Sequence, residues 1–168
     1  MGTGPTELSR QLREGSGPHL ARRRGIAGLS LAAMGALGLV TLYQLGILRR
    51  LPEPPLPHCD ADCVDAAAEA YATLAMPDGA LALVSYAVTL ALAAAGGAER
   101  AREQRWLPLA LAAKGAFDTG QAARLTADQW TRHRACCLWC LLAAGAPCAT
   151  APLAAPEAVT AVRRVRGR

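Results

Sequence analysis

From Gly25 to Leu48 the chain runs without a charged side chain, mostly through Ala, Leu, Gly and Val. As a helix, a run of this length crosses the hydrocarbon of a bilayer, which is about 30 Å thick. Lipid offers no hydrogen bonds to the backbone, and a helix satisfies its own within the segment. Arg22-Arg23-Arg24 precedes the run and Arg49-Arg50 ends it. A basic flank before an apolar core also describes a secretory signal. Here the apolar run is too long for one, and no Ala-x-Ala-like site leads into a polar start. An uncleaved first transmembrane helix is expected.

Three further apolar runs follow: Ala80 to Ala95, Trp106 to Ala123 with Lys114 and Asp118 inside it, and Cys136 to about Ala155. Prolines recur through Leu51-Pro52-Glu53-Pro54-Pro55-Leu56-Pro57, which must therefore be an extended loop. Val64 to Ala75 reads as a short amphipathic helix, with Asp65 and Glu69 on one side, lying at the interface rather than crossing it. Glu99 to Arg105 is a charged turn and Arg124 to Arg134 a polar loop. The expected architecture is an all-α integral membrane protein, a four-transmembrane-helix bundle with a short interfacial helix in the first extracytoplasmic loop. It divides into a polar, loosely held cytoplasmic tail (1–24), a membrane domain (25–157) and a basic cytoplasmic tail (158–168).

The net charge of +5 comes almost wholly from arginine, since Lys114 is the only lysine. With the N-terminus in the cytoplasm, that side holds Arg10, Arg13, Arg22 to Arg24, Arg100, Arg102, Arg105, Arg163, Arg164, Arg166 and Arg168. The other side holds only Arg49, Arg50, Arg124, Arg132 and Arg134, as the positive-inside rule requires. The arginines read as solvated topology determinants. No basic face with stacking aromatics accompanies them, so nucleic acid is not the expected partner; membrane lipid is.

This topology puts two cysteine groups on one extracytoplasmic face: Cys59 and Cys63 in the loop, and Cys137 and Cys140 at the start of the fourth run. A Cys-x-x-Cys on a first helical turn can form and break a disulfide, and the helix N-terminus favours the thiolate. Disulfides persist on that side of the membrane. Thiol–disulfide exchange is the leading reading, with zinc held by the four cysteines or a structural staple as alternatives. Cys136 and Cys148 are expected to be inert, buried small hydrophobes. Lys114 and Asp118, spaced i, i+4, share a helix face as a proton path or a structural pair. His58 and His133 read as solvated.

The order of these parts, through Met76-Pro77-Asp78-Gly79-Ala80-Leu81 and Ser85-Tyr86 to Cys137-Leu138-Trp139-Cys140-Leu141, resembles the vitamin K epoxide reductase family, in its quinone-linked bacterial branch. The resemblance covers about Gly25 to Ala155. It implies a bundle in the cell inner membrane that holds ubiquinone or menaquinone beside the Cys-x-x-Cys, with Asp78, Tyr86 and Trp139 as quinone-binding positions. Cys140 would pass electrons to the quinone, Cys137 would exchange with Cys63, and Cys59 would meet a periplasmic thioredoxin-like partner acting in trans. The polar residue after the proline, often asparagine, is Asp78 here. Glu69 stands near the place of an expected serine or threonine, and the loop cysteines are closer together than is usual.

Overall fold

The computed structural model describes residues 4–166, with side chains through position 163; the side chains of Arg164, Arg166 and Arg168, assigned above to the basic tail, lie outside the described residues. The elements are α1 (Pro5–Glu14), α2 (Pro18–Gln44), α3 (Ala61–Asp65), a 3-10 turn (Ala68–Tyr71), α4 (Asp78–Ala94), α5 (Arg100–Glu103), α6 (Trp106–Asp128), a π-type turn (Gln129–His133) and α7 (Leu138–Arg166). Among the described residues there is no strand. Helices α2 and α7 are long and apolar enough to cross a membrane, and α4 is apolar but shorter.

Several boundaries differ from those expected. The N-terminal segment is helical rather than loosely held, because Pro5 and Pro18 each open a helix at a position where a missing N–H costs nothing. It is also docked: the Arg24 guanidinium donates to the carbonyls of Leu12 and Gly15. The supposed loop after Ala123 is helical through Asp128 and closes in one π-type turn, ending at Arg134 in left-handed backbone (φ 53°). The amphipathic helix expected over Val64 to Ala75 is instead two short pieces. The first begins earlier because the Asp60 side chain caps it, accepting from the Cys63 N–H at 2.9 Å.

Helix α2 packs against α4 and α7, while α6 packs on α7 and touches α4. Alanine lines the contacts: Ala33, Ala36, Ala93, Ala143, Ala146 and Ala154 are buried. Leu31, Val84, Val88, Phe117 and Leu142 face outward. Small residues inside and bulky apolar ones outside suit a bundle packed within lipid, where burying hydrocarbon gains nothing. Three prolines interrupt the hydrogen bonding of α7. Pro147 has no N–H for the Ala143 carbonyl, and the Tyr86 hydroxyl donates to it instead at 2.7 Å. Lys114 and Asp118 pair on α6, and the Lys114 ammonium also donates to Ser85 Oγ on α4 at 2.8 Å, so the two charges tie adjacent helices together.

The charged end of the bundle corrects the reading of its arginines. Arg23 and Arg100 are buried, 4% and 0% exposed, not solvated. A helix ends with unpaired carbonyls and a negative dipole; α4 ends there, turned by Gly96 at φ +78°. Arg23 donates to the carbonyls of Ala93, Ala94, Ala95, Gly96 and Gly97. Arg100 donates to those of Leu92 and Ala95, and its guanidinium pairs with buried Glu157 on α7 at 2.7 Å. Cutting this pair leaves an uncompensated buried charge, so Glu157→Ala is expected to destabilise the protein by about 3–5 kcal/mol. Arg102→Ala, at an exposed pair with Glu99, is expected to change stability by less than about 1 kcal/mol. Chemical denaturation in detergent compares the two.

Candidate redox site

The opposite end of the bundle gathers the C-termini of α2 and α6, the N-termini of α4 and α7, and the loop after α2. Cys137 caps α7: its carbonyl accepts from the Leu141 N–H at 3.0 Å, and its Sγ accepts from the Cys140 N–H at 3.1 Å. Its own N–H is held by Gln129 Oε1 at 3.1 Å, which explains why the chain after α6 is folded rather than loose. Cys137 is fully buried and Cys140 half-buried. All six cysteines are free thiols.

The proline-rich loop docks onto this helix start through its backbone. The Cys136 N–H donates to the His58 carbonyl at 2.8 Å, and the Asp60 N–H donates to the Cys136 carbonyl at 3.2 Å. The two contacts form a short parallel bridge that sets Cys59 opposite Cys136. Glu53 reinforces it: one carboxylate oxygen accepts from the Ala61 N–H at 2.7 Å, the other from the Leu138 N–H at 2.6 Å. A single carboxylate thus serves the N-termini of α3 and α7, where helix dipoles favour negative charge. His58, in left-handed backbone (φ 64°), sets its ring edge against Trp130.

Burial raises the Cys59 thiol pKa, and Glu53, Cys136 and Cys137 add to the rise. The bridge to Cys136 makes Cys59 the loop cysteine beside the second pair, whereas Cys63 is exposed. Cys136, expected to be inert, supplies the bridge. Cys148 is exposed on the outer surface of α7 rather than buried.

Behind Cys140 lies a cavity of about 390 Å³, lined by Leu37, Asp65, Asp78, Tyr86, Cys140 and Ala143 among others. Asp78 and Tyr86 thus share it, though the Tyr86 hydroxyl is already donating to Ala143. Trp139 does not line it: its indole N–H donates to the Pro52 carbonyl at 3.0 Å and fastens the loop. Gln44, at the end of α2, holds the cavity wall. Its Nε2 donates to Asp78 Oδ1 at 2.6 Å and to the Asp65 carbonyl, while its Oε1 accepts from the Gly79 N–H. A Cβ at position 79 would come within 2.8 Å of that oxygen, so any larger residue there must displace the Gln44 amide from its hydrogen bonds.

Asp65 is the functional residue that sequence reasoning placed wrongly, on the polar side of an interfacial helix. It is 2% exposed, its Oδ1 accepts from Cys140 Sγ at 3.2 Å, and its Oδ2 has no partner. The signal was present: with Asp60 read as the helix cap, Ala61, Val64 and Asp65 fall on one inward face. The reactive oxygen and sulfur atoms of Asp65, Cys137 and Cys140 lie within 4.8 Å of one another. Cys59 and Cys63 are not part of this group, so the four cysteines are not assembled into one tetrahedral zinc set.

A helical bundle that buries alanine, exposes its bulky apolar side chains and sets a buried dithiol beside a cavity defines a membrane redox protein. The model of the vitamin K epoxide reductase family matches residues 25–155, and the chain belongs to that family. No curated protein and no solved structure matches the chain. The family consists of membrane-bound oxidoreductases that use quinones. The cavity is of the size that small-molecule sites have, and the unpartnered Asp65 oxygen beside Cys140 gives it a polar point, so the residues present fit a quinone.

Burial raises the Asp65 carboxyl from 3.8 to about 6, with Asp78 and Glu53 adding to the rise against the opposing hydrogen bonds of the cysteines. A raised folded-state pKa contributes stability below the unfolded value, and that contribution is lost as pH rises through about 6. Asp65→Asn is therefore expected to be more stable than the wild type at neutral pH, by about 3 kcal/mol. The gain is expected to vanish as pH falls from about 6 to below 3.8. Thermal unfolding in detergent across that window checks it; a loss of stability at every pH would contradict the assignment.

Proposed function

We propose that the protein is a thiol:quinone oxidoreductase that supports disulfide formation outside the cytoplasm. The observation that carries this reading is the placement of Cys140 on the cavity while the loop bearing Cys59 docks beside Cys137. A bound quinone supplies the two-electron acceptor. The remaining steps belong to the chain's own sulfurs.

A dithiol on a thioredoxin-like partner reduces a Cys59–Cys63 disulfide, the partner becoming the disulfide and the loop the dithiol. Exposed Cys63 is the sulfur that a partner can reach. Cys59, pairing by backbone with Cys136, then exchanges with Cys137, and the loop disulfide re-forms as Cys137 and Cys140 are reduced. This assigns the inner and outer loop cysteines in the reverse of the order that the family resemblance implied. Oxidation of the Cys137–Cys140 dithiol releases two electrons and two protons to the acceptor, and the disulfide between them is restored. Asp78 and Tyr86 hold the acceptor's side of the cavity, and Trp139 keeps the loop closed over it.

The arginine distribution supports four spans, with both termini in the cytoplasm and the cysteines on the extracytoplasmic face of the inner membrane. The buried Arg23 and Arg100 belong to the cytoplasmic end.

Quinone reduction by purified protein tests the proposal. With a reduced thioredoxin-like donor, the wild type is expected to reduce ubiquinone or menaquinone analogues, and Cys140→Ser to fall to background. Cys63→Ser is expected to lose activity with the protein donor but keep it with dithiothreitol, which is small enough to attack half-buried Cys140 from the cavity. Stoichiometric zinc with no quinone reduction in the wild type would overturn the reading.

A further inference from the structure

We infer that Asp65 is the base that receives the Cys140 thiol proton when the Cys137–Cys140 dithiol is oxidised. The inference rests on the dithiol-to-quinone reading above and assigns the proton that this reading leaves without a carrier. Cys140 Sγ already donates to Asp65 Oδ1 at 3.2 Å, so the proton has no distance to cross beyond a hydrogen bond. The residue is 2% exposed, so the carboxylate is the nearest base in direct hydrogen-bond contact with this thiol.

The second carboxylate oxygen strengthens the assignment. Asp65 Oδ2 is buried and without a partner, a costly arrangement for an ionised carboxylate. Asp65 and Cys140 both line the cavity. A proton received from Cys140 therefore resides on a carboxyl at the wall of the chamber in which the electrons leave. Per turnover the two thiols lose two protons and two electrons, the S–S bond forms, and the acceptor takes up both electrons and both protons. One of those protons travels by way of Asp65, which ends the cycle as it began, a carboxylate.

Arg124, Arg132 and His133 line the same cavity from α6 and the turn after it, but the two arginines pair with Asp128 and none of the three is among the groups that move the Asp65 carboxyl. Glu53 faces it from the proline loop, Asp78 from the start of α4, and Cys137 and Cys140 from the start of α7. Tyr43 faces it from α2. Burial among these groups raises its carboxyl to about 6, close to working pH, where a group both accepts and releases a proton. Gln44 fixes its position by donating to the Asp65 backbone carbonyl at 3.3 Å. Asp65 Oδ1 faces the Cys140 thiol and Oδ2 stays free.

Alkylation of Cys140 by iodoacetamide, with no quinone present and the site read by fragment mass spectrometry, tests this separately from quinone reduction. In the reduced wild type the rate is expected to rise as pH increases through about 6 and then level off. Asp65→Asn is expected to lose that limb, to react on the order of tenfold more slowly at neutral pH, and to keep rising into the alkaline range. Asp65→Glu restores the limb and shows that the Asn variant's loss is not misfolding. An unchanged profile in Asp65→Asn would overturn the inference. So would faster alkylation at every pH, which would mean that the carboxylate only repels the thiolate. Failure of the wild type to reduce quinone would leave the alkylation profile intact and count against the proposed function alone.

Discussion

The carboxylate of Glu53 holds the site together. It stands among prolines that deny its segment any helix of its own, and it joins the N-terminus of α3 to that of α7. Both hydrogen bonds involve a charged acceptor, a kind worth about 1.5–3 kcal/mol each. Without it the loop would rest on two backbone hydrogen bonds and the Trp139 indole contact. With it, Leu51, Ala61, Val64, Ala135 and Cys137 close into one apolar cluster with Val40, and the two cysteine groups share a surface. The loop is thereby part of the redox site.

The two ends of the bundle solve opposite electrostatic problems. At the charged end, arginines satisfy the carbonyls with which α4 finishes, and Glu157 balances Arg100. At the redox end Arg124 and Arg132 line the cavity but pair with Asp128, not Asp65, and carboxylates and thiols face one another around the start of α7. That imbalance costs stability and keeps acidic groups able to exchange protons, which a dithiol oxidase needs and a structural staple does not. Between the ends, alanine contacts and the Lys114–Asp118–Ser85 link join helices that carry little polar surface of their own.

The membrane class, the long helices and the convergence of the two cysteine groups were legible, because hydropathy, charge asymmetry and cysteine spacing are local signals. Asp78 and Tyr86, which only the family resemblance pointed to, line the cavity with Cys140. What was hidden depends on contacts between segments distant in sequence. Trp139 was taken for a quinone contact but fastens the loop, since its partner is a proline carbonyl that no spacing rule connects to it. Arg23 and Arg100 looked like solvated topology signals because their burial depends on where α4 ends. Glu53, Gln44 and Gln129 carry no motif, and each acts by meeting a backbone group from another element. Asp65 was misplaced by a three-residue error in where a short helix begins, which turned an inward face outward.

The central claim is that the loop delivers Cys59, not Cys63, to Cys137. Cys140→Ser protein, oxidised in membranes and digested without reduction, tests it directly, since loss of Cys140 leaves the exchange intermediate with no thiol to resolve it on the cavity side. Peptide mapping is expected to find Cys59 joined to Cys137. A Cys63–Cys137 linkage would contradict the order argued from the bridge, and the absence of any link between loop and helix would contradict the relay itself.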